Sequence, residues 1–175
     1  MNNCIQGAFS SGGGGGGGAW TLIASQTTAG TSIDTGSLSA CSDYEILDFW
    51  ATCDVDTAAA AELQFYDAST EALRTDNYYM NSGFAYGAFG SDTLVSSYHM
   101  NLDNDTGTED IFFHGTFYNK GFAGDMGQGF ITFNDRVNGG CGVGVSNKGG
   151  SSTISGFKMI SPTSFDNAYW YLLGA

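Results

Sequence analysis

The chain has 175 residues, 42% hydrophobic and 14% aromatic, which is enough to bury one sizeable core, so a single folded domain is expected. Its 18 acidic residues against five basic ones give a formal charge of -13, and the five, Arg74, Lys120, Arg136, Lys148 and Lys158, are scattered along the chain. Phosphate-backbone binding needs clustered Lys and Arg, so no nucleic-acid partner is expected; no membrane insertion is expected either, since no segment approaches the roughly 20 apolar residues of a span.

In chain order, Met1, Asn2, Asn3, Cys4, Ile5 and Gln6 come first, without the basic n-region or apolar stretch of a signal peptide, which points to assembly in a cytoplasm. Gly12 to Gly18 follow as an unbroken glycine run that ends at Ala19-Trp20, where β-forming residues begin. Glycines carry no side chain to pack and behave as a flexible spacer, at most about 25 Å long when extended and nearer about 15 Å as a coil. The expected organisation is a docking arm over residues 1–11, a polyglycine tether over 12–18 and a β-sandwich domain over 19–175.

From Trp20 onward apolar residues recur mostly with period two, interrupted by Gly or Asn/Asp clusters, which predicts an all-β chain. In DYEILDFWATCDV, Leu47, Phe49, Ala51, Cys53 and Val55 share one face, and Tyr44, Ile46, Asp48, Trp50 and Thr52 share the other, mixed and partly aromatic. Further strands are predicted at AELQFYD, DNYYM, TLVSSYHM, DIFFHGTFYN, GFITFND, TISGFKMIS and AYWYLLGA. DTAAAAELQ, residues 56 to 64, alone has helical character, with Asp56 or Thr57 as cap, but it is too short to stand by itself and runs into the next strand. AWTLIAS and AYWYLLGA are expected to meet in one sandwich, so that loss of residues 169 to 175 abolishes folding.

Aromatic residues are the one enriched functional resource. Tyr78, Tyr79, Phe84, Tyr86, Phe89 and Tyr98 lie among Gly, Ser and Asn, the composition of a binding surface for a receptor or glycan, although core or trimer-seam packing uses the same residues. In NLDNDTGTED, Asp103, Asp105, Glu109 and Asp110 offer oxygen ligands suited to Ca²⁺, but the spacing of Gly107 and the lack of a closing Glu break the EF-hand register, and no metal is expected. His114 lies on the opposite parity from Ile111, Phe113 and Phe117 and reads as a partly exposed strand histidine, with no G-x-S-x-G nearby to suggest catalysis.

GGCGVGVSNKGGSS fails both glycine-loop patterns, because its lysine precedes the glycines and the third dinucleotide-motif glycine is missing; it reads as a glycine-rich hairpin or bulged strand, and no cofactor is expected. Cys4, Cys41, Cys53 and Cys141 have no C-x-x-C pair and no zinc spacing. Cys53 reads as a small buried hydrophobe, while a disulfide involving Cys41 or Cys141 is left open. Among 18 acids nothing selects the carboxylate pair of a glycosidase, so no enzyme is expected, and a lectin-like hydrolase ranks last.

The ordered features resemble a family of bacteriophage virion proteins, tail-fibre or minor structural proteins. The likeness is carried by the glycine run, Trp20, Leu22 and Ile23, then Ser32-Ile33-Asp34, Asp43-Tyr44-Glu45, and the late strand Thr153-Ile154-Ser155-Gly156-Phe157. It covers the chain from about residue 12 onward. The resemblance implies an antiparallel jelly-roll or lectin-like β-sandwich, a homotrimer displayed on the virion exterior, and contacts to other virion proteins through the N-terminal arm. The expected function is tail-associated attachment to a host receptor or surface glycan, with capsid decoration or cement, as in a head fibre, as the alternative. No ligand residue carries over from the family.

Overall fold

The computed structural model describes residues 19–55, 62–74, 78–81, 100–101, 110–119, 125–134, 139–148, 153–160 and 165–175, most of them in strands, and apolar–polar alternation is clear in long ones such as Ile46–Val55. In order these are β1 (Thr21–Gly30), β2 (Ile33–Asp34), β3 (Ile46–Val55), β4 (Glu62–Asp67), β5 (Ala72–Leu73), β6 (Tyr78–Asn81), β7 (Met100–Asn101), β8 (Asp110–Tyr118), β9 (Asp125–Asn134), β10 (Gly139–Lys148), β11 (Ile154–Ile160) and β12 (Phe165–Gly174). A short 3-10 turn, Ser39–Asp43, precedes β3. The expected docking arm and polyglycine tether, residues 1–18 with Met1, Asn2, Asn3, Cys4, Ile5 and Gln6, lie outside the described residues.

Every pairing among the described residues is antiparallel, and the pairs nest: β1 with β12, β2 with β11, β3 with β8, β4 with β7. The eight strands of these pairs fall in two sheets, β1-β12-β3-β8 and β2-β11-β4-β7, which is the doubled Greek key of a jelly roll. The antiparallel β-sandwich expected from sequence is thus present. β9, β10 and β6 extend the first sheet beyond β8 to seven strands, and β5 joins the second at the far end of β4. The terminal strands meet as expected, Thr21 standing opposite Gly174.

The core forms where the inner faces meet. Leu47, Phe49, Ala51 and Cys53 of β3, Phe113 and Phe117 of β8, and Leu172 of β12 face Leu63 and Phe65 of β4 and Phe157 and Met159 of β11. Phe157 is the hub: its ring lies parallel on Phe49 at 4.8 Å between centroids, 4.9 Å from Phe117 and 5.7 Å edge-on from Phe65. Leu63 and Gln64, the end of the segment with helical character, stand in β4, because pairing with β11 and burial of Leu63 outweigh a weak local preference. β10 is the bulged strand its glycines suggest, with register shifts between Gly140 and Val143 and between Val145 and Asn147.

Two polar devices fix the margins of the sheets. After β8, the fully buried Asn119 donates from Nδ2 to the Cys41 carbonyl at 2.7 Å and accepts from the Ile154 N–H at 2.6 Å, joining the 3-10 turn, β8 and β11. After β2, Asp34 accepts from the Gly36 N–H at 2.9 Å, and Gly36 takes the left-handed φ of +65°. Its carbonyl then lies where a side chain on Gly156 would stand, so only glycine fits in the Ser155-Gly156-Phe157 strand.

Candidate functional site

The outer face of the seven-stranded sheet carries the most unusual chemistry. Register sets Leu173, Asp48, Thr116 and Phe130 side by side across β12, β3, β8 and β9. One step along the strands stand Tyr171, Trp50, His114 and Thr132, and beyond them Tyr169, Thr52 and Phe112. At the other end Tyr118 neighbours Ile46 and Gln128. Adjacent strands lie about 4.8 Å apart and same-face residues about 6.8 Å apart, so Phe112, Trp50, His114, Phe130 and Tyr118 form one continuous stripe.

Asp48 lies under this stripe and is only 6% exposed. One carboxylate oxygen accepts from Thr116 Oγ1 at 2.6 Å and from His114 Nε2 at 2.8 Å; the other accepts from Trp50 Nε1. Because a carboxylate accepts, His114 presents an N–H to it at Nε2. The His114 ring stacks on Trp50, 3.8 Å between centroids and 21° from parallel, and Phe112 meets Trp50 edge-on at 5.6 Å. Three donors thus disperse the one carboxylate charge beneath the aromatic cover, and the Thr116 proton is directed at Asp48 rather than at the histidine.

At the rim beyond Thr52 the character changes. Asp54 is in register with Asp166 on one side and Asp110 on the other, and Asn167 donates to it at 2.8 Å. No group of three or more His, Cys, Asp or Glu side chains among the described residues is placed to hold a metal ion. The opposite sheet carries a second polar cluster, in which Asp34 accepts from Tyr66 at 2.9 Å and pairs with Lys158 at 3.0 Å. Burial raises the Asp34 carboxyl, but the Gly36 N–H, Lys158 and Tyr66 outweigh it and leave it below the usual carboxylate value. Burial first, and then the bond to Asp34, push the Tyr66 phenol up to about 12.

Cys41 and Cys53 are free thiols in the core, and burial pushes both up to about 12, with the Asp54 charge adding to the effect at Cys53. Cys53 is therefore the buried hydrophobe its alternation implies, and Cys41 is likewise a buried free thiol.

Of the aromatic residues singled out in the sequence, Tyr78 and Tyr79 stand in β6 at the edge of the large sheet, while Phe84, Tyr86, Phe89 and Tyr98 lie outside the described residues. Asp103, Asp105 and Glu109 also lie outside them, and Asp110 opens β8. Sequence reading left His114 alone and did not select Asp48. A signal existed: D-x-W in β3 and H-x-T in β8 each put two such groups on the outer face of one strand. Their union needs the β3–β8 register, across 66 residues of chain, which local pattern does not supply.

Compared with known protein families the chain matches no family model, and no curated protein matches it.

Proposed function

We propose that the chain is a structural protein of a bacteriophage virion, held on the exterior of the particle, where its jelly roll works by presenting contact surfaces. The observation that carries this reading is the outer face of the large sheet. Phe130, Tyr118 and Phe112 are 65%, 52% and 44% exposed on it, and its central carboxylate is sealed from solvent. Exposed aromatic surface of this extent marks a site of association. The sequence resemblance supplies the virion setting. The position of Thr21 beside Gly174 supports tethering of the domain from one corner, with residues 1–11 as the docking arm, polyglycine as the spacer and other virion proteins as the partners of the arm.

On this reading the protein serves attachment to a host receptor or surface glycan if it sits at a tail or fibre tip, and cements the shell if it is spread over the capsid. Imaging of intact particles at a resolution that traces Met1 to Ser11 tests it. Density at a tail tip assigns the attachment role, and density across the capsid lattice assigns decoration. Purified particles that lack the chain would sink the proposal.

A further inference from the structure

We draw no further inference here: the strongest candidate, the stripe of Phe112, Tyr118 and Phe130 with the exposed Thr52 and Thr132 on the outer face of the seven-stranded sheet, belongs to the contact surface already described, and nothing in the structure shows what covers it.

Discussion

The two faces of β3 bury side chains by different means. On the inner face, Phe49 is covered by a second layer, with Phe157 of the opposite sheet lying parallel to it at 4.8 Å. On the outer face, Asp48 is nearly as deeply buried, yet its cover comes from the side: Trp50 two residues along the same strand, and His114 and Thr116 on the neighbouring strand. Depth alone therefore does not mark the core. A carboxylate is sealed on a single sheet when rings stack above it and donors take up its oxygens.

The comparison breaks most easily on the inner side. Phe157→Ala removes the ring that Phe49, Phe65 and Phe117 all touch, and is expected to cost about 4 kcal/mol in denaturant unfolding. A loss below about 1 kcal/mol would mean that the two sheets close over the gap and that the hub is not needed. On the outer side, Asp48→Asn keeps the shape but sets an amide N–H among the donors of Trp50, His114 and Thr116. The expected cost is about 3 kcal/mol, smaller than that of the hub because no cavity opens. If Asp48→Asn falls within about 0.5 kcal/mol of wild type, as an exposed substitution would, lateral cover does not seal the site.

How far each face is legible in the sequence follows from the same contrast. Alternation along β3 gives both of its faces residue by residue, since period two is a local property, and Leu47, Phe49, Ala51 and Cys53 are buried as that pattern requires. The jelly-roll nesting is not local. It depends on β1 finding β12 and β2 finding β11, and only the likeness of the two terminal strands hints at the first of these pairs. Two-residue strands such as β2 and β5 have no periodicity to read. Asn119 gives no signal either, because its carbonyl and N–H partners at Cys41 and Ile154 are backbone groups whose side chains are immaterial to the bond. The Asp48 cluster falls between these cases: each strand displays its half, and the register that joins the halves is tertiary.

The smallest expected effect concerns the small sheet, whose outer polar cluster is open to water where Asp48 is closed. Asp34 sits below the usual carboxylate value, so its contribution is present above about pH 4 and is lost as pH falls through the folded value. Tyr66 is pushed up to about 12 from an ordinary 10.0, so the folded state favours its neutral form. That contribution is complete below about pH 10 and is lost as pH rises toward 12, because the unfolded phenol ionises first. Tyr66→Phe removes the donor to Asp34 and is expected to cost about 1 kcal/mol near neutrality, at the low end for a bond to a charged acceptor because both groups are partly exposed. Both proteins keep the Lys158 pair, so its contribution cancels in their difference. Urea unfolding from about pH 8 to about pH 11 should therefore show the gap between wild type and Tyr66→Phe narrowing as pH rises. A gap that stays constant over this range would mean that the Tyr66 proton is not held by Asp34, and the contrast between an open and a sealed carboxylate would lose its open member.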